Sequence, residues 1–180
     1  MADVSLPKQK DCGTSPLDQL IKIPGGAKDA GIFLKECRHT GKLILRGDPN
    51  DELFIKETSK VLTYKLPLTP NTFLQKNDRA SVWLGPDEWL LNSIPDDESS
   101  LEKDLNTTLT DVHHSVTNVS DSSTIIELSG PHARSVIMKG CAVDIHPRAF
   151  KPGDAFQSNL AAASVIMWQL DLTVSYTHLR

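Results

Sequence analysis

The octapeptide KLILRGDP at residues 42–49 joins a predicted strand to a predicted helix. The run Lys42–Arg46 is typical of a strand, and it stops at Gly47. Asp48 is a good N-cap and Pro49 a good first helical residue, because proline has a fixed φ and no N–H to leave unpaired. The sequence therefore predicts a strand that is followed at once by a helix over about residues 50–62.

The second half of the chain presents the same order of elements. A strand at 124–128 leads into SGP at 129–131, which repeats the turn chemistry before a helix over 132–139. Two further strands follow each helix: 80–84 and 88–91 in the first half, 155–162 and 164–170 in the second. This order predicts an α+β fold of tandem small α/β sandwich units with antiparallel sheets. Coincidence is the alternative, since strand–Gly–Pro–helix is a common local solution.

The elements and the composition predict four segments. Residues 1–40 are rich in proline and carry Gly25-Gly26, which indicates an extended N-terminal arm. The first α+β unit is expected at 41–111 and the second at 112–173, with a helix over about 97–109 and a strand at 112–119 near their junction. Residues 174–180 are expected to be a tail.

The tail has the sequence VSYTHLR, which is typical of one reading frame of a transposon-derived sequencing adapter. We therefore expect the native sequence to break off near Thr173, so that the second unit is truncated at its C-terminal end. On this interpretation the tail is left out of the predicted fold, as a fusion scar would be.

Composition excludes several classes of function. The chain has 180 residues, 39% of them hydrophobic, and a formal net charge of -4, which argues against a general nucleic-acid binder. No run approaches the roughly 20 apolar residues of a membrane span, and residues 1–10 lack the apolar core of a signal peptide. Three cysteines (Cys12, Cys37 and Cys141) are too few for a disulfide framework, so a cytoplasmic protein with free thiols is expected.

The titratable residues form no strong catalytic signature, and no catalytic or metal residue is predicted. His113 and His114 are neighbours on a predicted strand, so they point to opposite faces and cannot easily share a metal ion. Asp144 and His146 could be an acid–base pair, although such loop residues more often bond backbone amides. Asp87-Glu88 is interpreted as part of a turn.

The remaining candidates have structural interpretations as well as functional ones. Cys141 follows a predicted helix C-terminus, where the helix dipole disfavours a thiolate. The tryptophans, Trp83, Trp89 and Trp168, are expected in the core, although one of them could lie at an interface. Arg134 and Arg148 could contact an anion or a partner, or simply lie at the surface.

Several strings together resemble one family, the gamma subunit of heterotetrameric sarcosine oxidase. The likeness runs in order from about residue 15 to residue 170, and WLGPDEWLL and KGCAVDIHPRAF are its most specific strings. The strings are SPL at 15–17, LRGDP at 45–49, LP at 66–67 followed by PNT at 70–72, WLGPDEWLL at 83–91, LSGPHAR at 128–134 and KGCAVDIHPRAF at 139–150.

The resemblance implies a non-catalytic subunit of an oxidoreductase complex. That complex converts sarcosine to glycine and passes the one-carbon unit to tetrahydrofolate. The resemblance places FAD, FMN, NAD, tetrahydrofolate and zinc in the alpha, beta and delta subunits, implies no cofactor site in this chain, and makes alpha its chief partner. It also implies a fold like the folate-binding domains of aminomethyltransferases. A stand-alone folate-dependent aminomethyl or formyl transferase is the alternative.

Overall fold

The chain folds into two five-stranded sheets that pack face to face, with helices on the outer faces. In this computed structural model the structure describes residues 14–15, 17–18, 31–171 and 174–179. The elements run β1 (Phe33–Cys37), β2 (Gly41–Gly47), α1 (Glu52–Leu62), β3 (Phe73–Lys76), β4 (Arg79–Gly85), β5 (Glu88–Ser93), α2 (Glu98–Thr108), β6 (His114–Asn118), β7 (Thr124–Ser129), α3 (Ala133–Ile137), β8 (Ala155–Leu160), β9 (Ala163–Gln169) and β10 (Val174–Leu179).

Every pairing between named strands is antiparallel, in the order β3-β4-β5-β2-β6 in the first sheet and β1-β7-β10-β9-β8 in the second. The predicted α+β class with antiparallel sheets is confirmed. None of the helices in the described ranges is both long enough and apolar enough to cross a membrane.

Strand pairing departs from the predicted boundaries at two strands. β1 lies within the predicted arm, yet it pairs with β7 in the second sheet. β6 lies within the predicted second unit, yet it pairs with β2 in the first sheet. Neither pairing can be read from periodicity, because a strand's own sequence specifies which faces it buries and not which distant strand it joins.

The segment predicted to be a tail also lies within a sheet. The backbone of β10 pairs with β7 from Val174–Ser129 to Leu179–Thr124, and with β9 on its other side. Residues 174–179 thus form a strand of this sheet, although the sequence analysis left them out of the predicted fold. The adapter origin of their sequence stays a prediction.

Three apolar clusters separate the layers. α1 and α2 cover the outer face of the first sheet, where Leu43, Leu45 and Trp89 are buried. Val82, Leu90 and Trp168 lie between the two sheets. α3 and the loop after it cover the outer face of the second sheet, where Met167 is buried. The expected core positions of Trp89 and Trp168 are confirmed, whereas Trp83 is only half-buried.

The turn after β2 places α1 against the first sheet. The N-cap is Asp51 rather than the predicted Asp48: its Oδ1 accepts the amides of Leu53 at 2.8 Å and Phe54 at 3.3 Å. The Asp48 carboxylate instead closes a turn by accepting the Asn50 amide at 2.8 Å. Helix α1 therefore begins one short turn later than the Asp-Pro pair suggested.

Gly47 lets this helix approach the sheet closely. A Cβ atom at Gly47 would lie 2.2 Å from the ring of Phe54, which is fully buried. The same ring packs on Trp89, with ring centroids 5.9 Å apart. The Trp89 indole N–H donates to the Pro67 carbonyl at 2.7 Å, so the proline loop is tied to the same cluster. Gly47 is thus required for steric reasons, and its backbone conformation is an ordinary one.

Arg134 holds the long loop after α3. Its guanidinium donates to the carbonyls of Ile145 and Phe150 and, at 2.9 Å, to the Gln169 side chain on β9. Burial lowers the pKa of this guanidinium, because removal from water disfavours its charged form. Arg148 in the same loop is exposed, 3.8 Å from the Asp144 carboxylate.

Replacing Gly47 by alanine is expected to destabilise the chain. The added methyl group must displace Phe54 from a close-packed cluster, so we expect a loss of about 3 kcal/mol in the free energy of unfolding, measured by urea denaturation. Gly85→Ala is the matched control, because a Cβ there would lie at an ordinary 3.7 Å from Glu88. Equal stability of the two variants would contradict this account.

Replacing Arg134 by lysine is expected to cost about 1–3 kcal/mol, since lysine cannot reach all three acceptors and would leave buried carbonyls unpaired. Arg148→Lys removes only an exposed ion pair, and we expect it to change stability by less than about 0.5 kcal/mol. Thermal unfolding of both variants measures the difference. A loss no greater for Arg134→Lys than for Arg148→Lys would show that Arg134 does not hold the loop.

Candidate functional site

Asp144 and His146 bond the backbone rather than each other. Asp144 Oδ1 accepts the His146 amide at 3.0 Å, and His146 Nδ1 accepts the Arg148 amide at 3.3 Å. Both side chains therefore shape the loop after α3. The geometry supports the turn interpretation of the pair over the acid–base interpretation.

The two neighbouring histidines are separated as the strand pattern predicts. His113 is exposed, whereas His114 is half-buried and its ring bonds the Val112 carbonyl at 2.8 Å and Asn106 at 3.2 Å. Within the described ranges, no three histidine, cysteine, aspartate or glutamate residues converge as metal ligands.

The other predicted candidates also make structural contacts. Asp87 lies in the β4–β5 turn and pairs with Arg46 on β2 at 2.7 Å, and its carbonyl accepts the Gly47 amide. Cys141 is a half-buried free thiol, and its backbone forms an isolated antiparallel bridge with Leu160 on β8. Cys37 is also free, and burial raises the pKa of its thiol to about 11, which disfavours the reactive thiolate.

One cavity lies between the two sheets. Its volume is about 520 Å³, and its walls come from β2, β4 and β5 on one side and β8 and β9 on the other. Apolar and polar side chains line it in equal number, with Glu88, Gln157 and Asn159 among the polar ones. The Gln157 amide bridges the sheets by donating to the Leu84 carbonyl at 2.8 Å.

A second cavity, which we call the Lys42 pocket, has a volume of about 300 Å³ and polar walls. It lies where the β1–β2 turn, the start of α2 and the segment before β7 meet. Its lining includes Glu36, His39, Lys42, Asp96, Glu98, Ser120, Asp121 and Thr124. Sequence reasoning missed this pocket, because Lys42 reads as the polar residue at the start of a strand.

Lys42 is nearly inaccessible, with 3% of its surface exposed. Its Nζ donates to the Thr40 carbonyl at 3.1 Å. Burial lowers the pKa of the ammonium group, and the nearby charges of Asp121 and Glu98 oppose that shift. Side chains alternate along β2, so Lys42 lies on the same inner face as Ile44. This alternation was the one feature of the sequence that could have indicated a buried lysine here.

Thr14 and Ser15, at the start of the described part of the N-terminal segment, line the Lys42 pocket. Ser15 is buried, and its hydroxyl donates to Glu36, whose side chain is only 3% exposed. Arg38 pairs with both Glu36 and Asp18, so the segment is anchored by charge as well as by hydrogen bonds. This contact attaches part of the predicted arm to β1.

Comparison with known sequences connects the chain to one family. The profile of the family described as "Sarcosine oxidase, gamma subunit family" matches residues 46–174. The sarcosine oxidase subunit gamma of Corynebacterium sp. (strain P-1) is 30% identical over 171 residues, covering 94% of this chain and 83% of that protein. The corresponding subunit of an Arthrobacter species is 39% identical over 90 residues, covering 50% of this chain and 43% of the relative.

Solved structures agree with the sequence comparison. A chain of the heterotetrameric sarcosine oxidase from Corynebacterium sp. U-96, in complex with pyrrole 2-carboxylate, superimposes with a TM-score of 0.80 at 27% identity, covering 91% of this chain and 83% of that chain. The aminomethyltransferase T of the glycine cleavage system from Bartonella henselae shares the fold, with a TM-score of 0.58 at 12% identity over 83% of this chain and 42% of the other. Since the family profile spans most of the described sheets and a relative matches almost end to end, this chain belongs to the sarcosine oxidase gamma subunit family.

Proposed function

We propose that this chain is a non-catalytic structural subunit of a heterotetrameric sarcosine oxidase. The observation that carries the proposal is the superposition, over 91% of the chain, on a chain of such an enzyme. The complex oxidises sarcosine to glycine and passes the one-carbon unit to tetrahydrofolate. Its alpha, beta and delta subunits hold FAD, FMN, NAD, tetrahydrofolate and zinc, and alpha is the chief partner. The complex is cytoplasmic.

The contacts of the titratable residues support a structural role. Four of the candidate residues use their polar atoms in contacts within this chain, in its loops, turns or hairpins. They are Asp87, Arg134, Asp144 and His146. Residues committed to backbone contacts in this way are poorly placed to exchange protons with a substrate. Catalysis would then be carried out by the other subunits, and this chain would hold those subunits in position.

The outer edge of β1 supports an association with another subunit. Within the described ranges β1 is the edge strand of its sheet, with β7 as its neighbour. Phe33 is 57% exposed and Leu34 is 61% exposed, and they project from opposite faces of the strand. A strand edge whose backbone groups pair with no other strand in the described ranges, and which carries two large apolar side chains, is suited to pairing with a partner subunit.

Co-expression with the alpha, beta and delta subunits tests the proposal. We expect the chain to co-elute in size-exclusion chromatography with flavin absorbance, in a fraction that produces hydrogen peroxide from sarcosine. Elution of the folded chain alone and colourless, at micromolar concentrations of all four subunits, would contradict the proposal. Folate titration of that isolated chain would then decide whether it is a stand-alone transferase.

A matched pair of variants tests the β1 edge. Leu34→Glu places a charge on that edge, and we expect it to weaken association by about tenfold or more. Leu74→Glu makes the same change on β3, the edge of the other sheet, where Leu74 is 45% exposed. We expect that variant to co-elute as the wild type does. Equal effects of the two variants would remove the β1 edge from the interface and leave the subunit assignment itself intact.

A further inference from the structure

The Lys42 pocket holds an ammonium group that the described residues leave partly unsatisfied. A lysine ammonium has three N–H donors, and Lys42 uses one of them on the Thr40 carbonyl. Among the described residues no carboxylate lies within 4.0 Å of this nitrogen to form an ion pair. A buried charge without a contact partner is costly, so a ligand that accepts the remaining donors would be stabilised here.

The same pocket holds an unsatisfied carboxylate. Glu98 lies at the start of α2, close to the strand residue that precedes Lys42: a Cβ at Gly41 would be 2.9 Å from Glu98 Oε2. Within the described ranges that buried oxygen accepts no hydrogen bond. The two opposite charges therefore line one cavity, Lys42 feels the charge of Glu98, and yet they do not neutralise each other by contact.

The charges of the lining select the type of ligand. Glu36 is neutralised by Arg38 and bonded by Ser15 and Thr124, so it does not attract a further cation. Asp96, Glu98 and Asp121 line the same cavity as Lys42. A simple anion would be repelled by those carboxylates, and a simple cation would leave the Lys42 ammonium without an acceptor, whereas a compact molecule with one charge of each sign meets both requirements.

The volume and polarity of the Lys42 pocket limit the class of ligand further. A volume of about 300 Å³ is at the lower end for a ligand site. The described lining contains the His39 imidazole but no phenylalanine, tyrosine or tryptophan, and it offers the hydroxyl groups of Ser120, Ser123 and Thr124. Such walls suit a short, polar molecule and not a flat ring system.

We propose that the Lys42 pocket binds a compact zwitterion of the small α-amino acid class, with its carboxylate on Lys42 and its ammonium group on Glu98. This inference goes beyond the proposed function, which gives the chain no ligand of its own. It also does not depend on assembly, so its failure and the failure of the subunit proposal can be told apart.

Glycine is the probe, and the full-length chain is the protein to test. We expect saturable binding in isothermal titration calorimetry, and a rise in Tm of about 2–4 °C at about five times the dissociation constant. Acetate and methylammonium each carry one of the two charges, and we expect either alone to raise Tm by much less. Trimethylglycine keeps the carboxylate but has no N–H donor, so we expect it to bind more weakly than glycine.

Variants assign the binding to the pocket. Lys42→Met and Glu98→Gln are each expected to weaken glycine binding by about tenfold or more, since each removes a charge-assisted hydrogen bond. Glu102→Gln, one turn further along α2, removes the same charge outside the pocket and should bind glycine as the wild type does. Because Lys42→Met replaces a buried charge with an apolar side chain of similar length, we expect it to fold.

Three results would overturn the proposal. The first is no saturable glycine binding by the folded wild-type chain at tens of millimolar. The second is an equal rise in Tm with acetate or with methylammonium alone, which would indicate a simple ion site. The third is wild-type affinity in the Lys42→Met and Glu98→Gln variants, which would place the binding elsewhere on the chain.

Discussion

The contact between the Phe54 ring and the backbone of Gly47 is the constraint on which the first half of the molecule depends. Because Gly47 has no side chain, α1 can lie close enough to the first sheet for Phe54 to reach Trp89. Trp89 in turn fixes the proline loop through the Pro67 carbonyl. One missing methyl group thus sets the distance between a helix and a sheet, and that distance sets the cluster beneath them.

The second half uses a glycine at the corresponding place for a different reason. Gly130 has a φ of +106°, and a Cβ there would lie 2.4 Å from the Gly31 carbonyl oxygen, just before β1. LRGDP and LSGP look alike, but their glycines are required for different reasons. In the first, a helix packs closely on a sheet; in the second, the backbone at Gly130 passes close to the backbone at Gly31. A sequence pattern can show that glycine is required without showing which neighbour requires it.

Local signals predicted most of the elements, and non-local contacts account for what they missed. Gly-Pro turns and apolar runs located β2, α1, β4, β5, α2 and β7 to β9 within a few residues. β1 was missed because Phe33, Leu34 and Lys35 are all exposed and show no alternation. The Lys42 pocket was missed because β2 is buried on both faces, so Lys42 does not stand out as the polar member of an alternating strand. The predicted loop residues, by contrast, were found where expected, with turn contacts that the sequence had already favoured.

Each half of the chain contributes an edge strand to the other half's sheet, and this affects the order in which the protein can fold. β1 precedes the first sheet in the chain but completes the second, and β6 follows the first sheet's helices and returns to complete it. Synthesis of the N-terminal half alone would leave β1 without β7, some ninety residues away. The two sheets are therefore interlocked by their own connections. We expect the tandem units, which look separable in sequence, to fold together, because the β1–β7 pairing has to wait for the second half of the chain.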